Sequence, residues 1–155
     1  MKFEFKPFDE LTLNELYDIL QLRSEIFVVE QNCVYNDLDG LDKVAVHQLL
    51  RKEGEIIAYS RLLKPGTRFS EHSIGRVVVK HSERGIGLGK EMIEEAKRYI
   101  VNEWGATKIK ISAQSYLRRF YENTGFKIVA EMYLEDGIPH YGMMYNVKRL
   151  EIQAK

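Results

Sequence analysis

The sequence is short of cysteine. Cys33 is the only one, so neither an intrachain disulfide nor a cysteine-rich zinc site can form, and a reducing compartment fits. It lacks net charge as well: 23 basic side chains balance 23 acidic ones. No Lys/Arg block stands out, which removes the usual footprint of a nucleic-acid surface. No uninterrupted apolar run approaches the ~20 residues of a membrane span. The charged start MKFEFKPFDEL holds no apolar stretch of signal-peptide length. Internal repeats, low-complexity segments and linkers are missing too. These absences predict a soluble cytoplasmic protein that contacts neither nucleic acid nor membrane. What is present is ordinary: 155 residues, 45% hydrophobic and 30% charged, enough for one sizeable core. Residues 1–155 therefore read as a single domain.

The pattern predicts strands over 2–8, 44–50, 56–63, 73–80, 106–112, 126–134 and 140–147. Thr12 with Glu15 forms a capping box, and Leu13, Leu16, Tyr17, Leu20 and Phe27 continue at helical spacing. Residues 30–43 lose periodicity and read as a loop. SIGRVVVK is nearly continuous in apolar residues, which predicts a central strand covered on both faces. Met92, Ile93, Ala96, Tyr99 and Ile100 mark a second helix. Ser115 is positioned to cap a short third helix carrying Leu117, Phe120 and Tyr121 and ending at Gly125. EDGIP has turn chemistry. Helices interleaved with a mixed sheet give the class α/β or α+β.

Between the central strand and the second helix lies RGIGLGK, residues 84–90. A P-loop needs Gly, four residues, then Gly-Lys-Ser/Thr. Here Glu91 follows Gly89-Lys90, and Arg84 stands where the first glycine belongs. A dinucleotide fingerprint is met by Gly85 and Gly87 but fails at Lys90. The pattern R-x-x-G-x-G is met by Arg84, Gly87 and Gly89. A loop entering a helix aims unpaired N–H groups forward, and glycine lets phosphates approach them. Arg84 and Lys90 offer further positive charge. Taken alone, the segment equally fits a tight strand-to-helix turn that uses glycine for geometry.

A second segment, FYENTGF (120–126), changes the balance. With VVVKHSERGIGLG (77–89) it resembles the GNAT acetyltransferase superfamily. LRSEIFVVEQNCVYNDLDGLD (22–42) and EDGIPHYGM (135–143) are similar to its ElaA-type subgroup. The resemblance runs from about residue 13 to 145, with Gln114 where many members have Asn and Leu117 where Ala is usual. It implies a single-domain fold with a mixed, mostly antiparallel twisted sheet, flanking helices and a splayed central strand. It implies acetyl-CoA as cofactor, held by backbone groups of Val77, Val78 and Val79. The N–H groups of Arg84, Gly85, Ile86, Gly87, Leu88, Gly89 and Lys90 would cradle the pyrophosphate, with Gln114 nearby. Tyr121 matches the tyrosine that protonates the leaving thiolate. A phenol has the right acidity to stay protonated at neutral pH. Packing on an apolar helix face is the other reading of Tyr121.

No acid lies on strand 74–80, so Glu30, Glu131 and His140 are the candidate general bases. Glu30, Gln31 and His140 are the candidate acceptor contacts. Histidine has suitable intrinsic basicity, although His140 equally reads as a structural core-edge residue. His47 reads as structural, His72 and His81 as solvated. Asp37, Asp39 and Asp42 surround Gly40 but miss the EF-hand spacing, so no metal is expected. With Glu30 they read as an acidic wall attracting a cationic amine, Asp42 rather as a solvated turn. Cys33 reads as a bystander, since the superfamily transfers directly to its acceptor. The expected partner is a small-molecule amine or a peptide, and the apolar last strand leaves a homodimer open. Two other readings stand beside the enzyme: a non-catalytic acyl-CoA-binding module, and a same-fold relative of acyl-homoserine lactone synthases.

Overall fold

A computed structural model describes residues 1–148. Eight strands share one sheet: β1 (Lys2–Pro7), β2 (Val46–Lys52), β3 (Glu55–Leu63), β4 (His72–Val79), β5 (Lys108–Gln114), β6 (Lys127–Ile128), β7 (Tyr133–Glu135) and β8 (Ile138–Asn146). Their order is β1-β2-β3-β4-β5-β8-β6, with β7 also pairing β8. Every pairing is antiparallel except β4 with β5. The helices are α1 (Leu13–Arg23), α2 (Leu88–Trp104) and α3 (Arg118–Glu122).

Alternation along the central strands sends side chains to two covered faces. Leu49, Tyr59 and Val78 meet Ile19, Leu22 and Ile26 of the α1 side. Leu50 and Ala58 meet Leu88 and Met92 of α2 on the other face. The capping box forms: the Glu15 N–H donates to Thr12 Oγ1 (3.0 Å), and the Thr12 N–H donates to Glu15 (2.9 Å). After α1 the chain does not leave the helix but widens into a π turn, Ser24–Glu30. Its i→i+5 bonds, Gln31 N–H to Ile26 O and Cys33 N–H to Val28 O, are both 3.1 Å. The 3.6-residue pattern lapses here, and the sequence gives no positive signal for the wider turn.

The parallel pairing of β4 with β5 lasts for two residues, His72↔Ile109 and Ser73↔Lys110. Beyond it the strands part. β4 stays with β3 as far as Val79, across an irregularity opposite Tyr59/Arg61. Arg76 sits at that irregularity with φ of 50°, a left-handed conformation unusual for a side-chain-bearing residue. The fork is the splayed strand expected from the sequence.

Beside the fork, residues 31–44 are tied down by charge. Arg23 and Arg61 are fully buried. Arg23 donates to Asp37 (2.9 Å) and Asp42 (2.7 Å), and Arg61 to Asp39 (2.8 Å) and Asp42 (3.0 Å). Arg76 donates to Asp37 at 2.6 Å. The expected acidic wall is thus already neutralised, and Asp42 is buried rather than a solvated turn. Burial alone would raise the carboxyls of Asp39 and Asp42. The guanidinium hydrogen bonds outweigh it, holding Asp42 below its ordinary value and Asp39 down to about 2. His47 is structural as expected: its Nδ1 accepts from the Tyr59 hydroxyl (2.7 Å) while Nε2 donates to Asp42 O (2.8 Å).

Other expectations change. The strand expected over 126–134 splits into β6 and β7. Ala130 packs so closely over Gly142 that a Cβ there would lie 3.0 Å from its methyl, and residues 129–132 depart from the ladder. Ser115 does not cap; it lies inside a 3₁₀ turn, Ser115–Leu117, leading directly into α3. His72 is half-buried and stacks on Trp104 (5.8 Å between centroids) rather than standing in water. The remaining strand ends shift by one or two residues.

Asp42→Ala strands two buried guanidinium partners, so it should lower unfolding free energy by about 3–5 kcal/mol in denaturant titration. Burial holds His47 neutral and lowers its pKa. As pH falls below about 6.5 the unfolded chain takes up a proton there that the folded chain refuses, so stability declines. A second decline comes between about pH 4 and 2, as the depressed carboxyls of Asp39 and Asp42 protonate. His47→Gln should shrink the first decline, the half-buried His72 keeping a part of it, and leave the second, read as denaturation midpoint against pH.

Candidate functional site

The fork opens a cleft of about 570 Å³, walled by β4, β5, the π turn and the loops before α2 and β8. At one end is the glycine run. Gly85 and Gly87 have φ of 90° and 86°, which turns successive amides the same way. The first helical bond of α2 runs from Glu91 N–H to Gly87 O. The amides of Leu88, Gly89 and Lys90 therefore lack intrahelical partners. Gly89 is needed for close approach: a Cβ would lie 3.3 Å from the Phe120 ring. Ile86 turns its side chain outward, 64% exposed, and offers only its backbone. One cradle member is corrected. The Arg84 N–H already donates to His81 O (3.3 Å), so the free amides run from Gly85 to Lys90.

The Arg84 side chain is committed as well. Its Nε donates to Val79 O (3.0 Å) and its Nη1 pairs with Glu30 (2.9 Å). Glu30 is thereby an anchor for the glycine-rich loop. Glu131 is exposed and does not line the cleft.

The middle of the cleft is the freed part of β4. Lys80 N–H donates to Ile57 O of β3 (2.8 Å), so by alternation Val78 also turns its backbone to β3, while Val77 and Val79 turn theirs into the fork. Of the three valines, Val78 contributes its side chain to the core instead. Gln114 and Gln31 bond each other across the cleft, amide to amide, at 3.2 Å. This bridge joins β5 to the π turn and occupies part of the amide that was assigned to the cofactor. Tyr121 stands on α3 against Phe120 and Phe126, its ring nearly buried and its edge on the cleft. Burial pushes its phenol well above the ordinary value. The hydroxyl has no protein partner among the described residues.

At the fork end stands His140, in register with Gln114 of β5 and Tyr133 of β7. Its Nδ1 lies 2.6 Å from Ile138 O, which fixes the proton on Nδ1 and leaves Nε2 as the basic atom. Glu135 faces Nε2 at 3.5 Å. Glu135 is also bonded by Arg68 and by Ser112 Oγ (3.4 Å). Glu135, Arg68 and Arg76 all line the cleft, and sequence reasoning passed over them. Their partners are distant in sequence, so no local pattern marks them. Cys33 lines the same end, its Sγ 3.5 Å from Asp136 O.

Comparison with known proteins accords with this geometry. The acetyltransferase (GNAT) domain model matches residues 24–147. Protein ElaA of Escherichia coli is 41% identical over 140 residues, 89% of this chain and 92% of its own. The crystal structure of E. coli ElaA superposes with a TM-score of 0.87 at 37% identity, covering 94% of this chain and 99% of that one. A Pseudomonas aeruginosa acyl-CoA N-acyltransferase gives 0.87 at 42%, with the same coverage. A CoA-dependent acyl-homoserine lactone synthase shares the fold alone, at 15% identity and a TM-score of 0.71 over 98% of this chain and 86% of that one. The chain belongs to the GNAT acetyltransferase family, in its ElaA-type subgroup.

Proposed function

We propose that the protein is a cytoplasmic N-acetyltransferase that moves an acetyl group from acetyl-CoA directly to the amine of a small molecule. The observation that carries this reading is the two-ended cleft. An amide cradle for anions lies at one end, a base with a free lone pair at the other, and between them a protonated phenol with no partner among the described residues. The free amides of Gly85–Lys90, with Lys90, suit a pyrophosphate, and the closeness of Gly89 to Phe120 leaves that cradle to backbone alone. When bound, acetyl-CoA supplies an activated acyl group on a thiol leaving group.

The residues divide the remaining work. The Val77 and Val79 backbone groups in the fork are placed to orient the thioester arm, and an N–H there stabilises charge developing on the acyl oxygen. His140 Nε2 takes the proton from the acceptor ammonium, and Glu135 steadies the imidazolium that results. The amine nitrogen would then bond to the acyl carbon as the C–S bond breaks, and the second proton it sheds passes to solvent, from which Tyr121 is later reprotonated. Tyr121 gives its proton to the departing thiolate. Its raised pKa keeps that proton in place until the thiolate forms beside it. Acyl-CoA binding without transfer is the competing reading. It would appear as calorimetric binding of acetyl-CoA with no thiol release above buffer across a panel of amines, polyamines and peptides.

Tyr121→Phe keeps the packing and removes only the donor. It should lower kcat by about 100-fold or more while leaving acetyl-CoA affinity unchanged, measured by thiol release and calorimetry. Gly89→Leu should do the opposite, raising the dissociation constant for acetyl-CoA at least tenfold by driving a side chain between α2 and Phe120.

A further inference from the structure

The fork end of the cleft carries both signs of charge. Arg76 gives Nε to the Asp37 carboxylate (2.6 Å) and Nη2 to the Asp37 carbonyl (2.9 Å). Its Nη1 has no partner among the described residues, although the side chain is only 15% exposed and lies on the cleft wall. A guanidinium pinned on two sides cannot swing into water, so its spare N–H groups are presented to whatever occupies the cleft. Arg68 likewise bonds Glu135 with one nitrogen, and its Nε and Nη1 carry no partner among the described residues. The basic Nε2 of His140 and the carboxylates of Glu135 and Asp136 line the same end.

A plain amine or a polyamine would use the second group and leave the shielded donors of Arg76 unanswered. A charged donor held in the cleft wall gains most from a carboxylate, which answers it in the geometry guanidinium prefers. The pyrophosphate cannot serve, because its cradle lies beyond Val79 at the other end. Resting on the reading of the cleft as an acetyl-transfer site, we propose that the acceptor is a small aminocarboxylate, an amino acid or a compound of that class. Arg76 receives its carboxylate, with Arg68 as a second donor, while its ammonium faces Glu135 and His140.

Matched pairs test this on the full chain: leucine against 3-methylbutylamine, phenylalanine against phenethylamine, 4-aminobutyrate against butylamine. Binding to the CoA-loaded protein is measured by calorimetry, and thiol release from acetyl-CoA is followed separately. At least one carboxylated member should bind about tenfold or more tightly than its counterpart, the size expected of a charge-assisted hydrogen bond. Arg76→Gln and Arg68→Gln should bring that ratio towards one without weakening acetyl-CoA binding. Arg68 lies outside the buried network, so its variant remains informative if Arg76→Gln folds poorly. Equal or tighter binding of the decarboxylated members, no binding of either kind, or a ratio untouched by both variants overturns the inference. A carboxylate preference in binding with no thiol release leaves the inference standing and removes the transfer reading. Thiol release with plain amines alone does the reverse.

Discussion

The fold and its cleft depend on one buried junction, Asp37 held between two arginines. Asp37 accepts from Arg23 at 2.9 Å, from Arg76 at 2.6 Å and from the Tyr35 hydroxyl at 2.9 Å. Arg23 belongs to α1, Arg76 to the irregularity in β4, and Asp37 to the loop between them. A left-handed arginine costs about 1–2 kcal/mol in backbone conformation. Here the bidentate grip of Asp37 holds it. The irregularity bends β4 along β3 where it has left β5, the strands having parted after Ser73. The wall of the cleft is thus set by where the loop docks, and the docking is electrostatic.

That choice of chemistry matters for precision. Hydrophobic residues of similar volume often stabilise as well as a buried ion network, and what the network adds is a defined geometry. Guanidinium nitrogens accept few arrangements, so Arg23, Arg61 and Arg76 fix residues 37–42 in one position. Three aspartates in six residues read in sequence as an acidic wall or a failed calcium loop. The structure makes them the anionic half of a neutral cluster. The wall they build is held rigidly and presents Arg76 to the cleft.

What was legible in the sequence was local. The glycine run was readable because positive φ and close approach demand glycine at fixed spacing. The third helix was readable because FYENTGF couples an apolar face to a left-handed stop at Gly125. The strands β2 and β3 and the capping box at Thr12 came through for the same reason. The π turn did not, because no residue type requires it. The split of 126–134 did not either, since it depends on Ala130 meeting Gly142 from another strand. Glu135 and Arg68 were missed because they gain their meaning from each other, 67 positions apart.

The motif arginine shows how far a local pattern reaches. Arg84 stands at the head of R-x-x-G-x-G, where its charge invites assignment to a phosphate. Its Nε instead bonds the carbonyl of Val79, and its Nη1 pairs with Glu30 on the π turn. The side chain therefore braces the end of the freed strand against the opposite wall. Binding of the anion falls to amides, which glycine alone leaves uncovered. A brace at that point links the two ends of the cleft. The freed strand segment is fixed at Arg76 by Asp37 and near Val79 by Arg84. With both ends held, the backbone groups of Val77 and Val79 stay aimed into the fork, which is the preorganisation that the proposed acyl transfer requires.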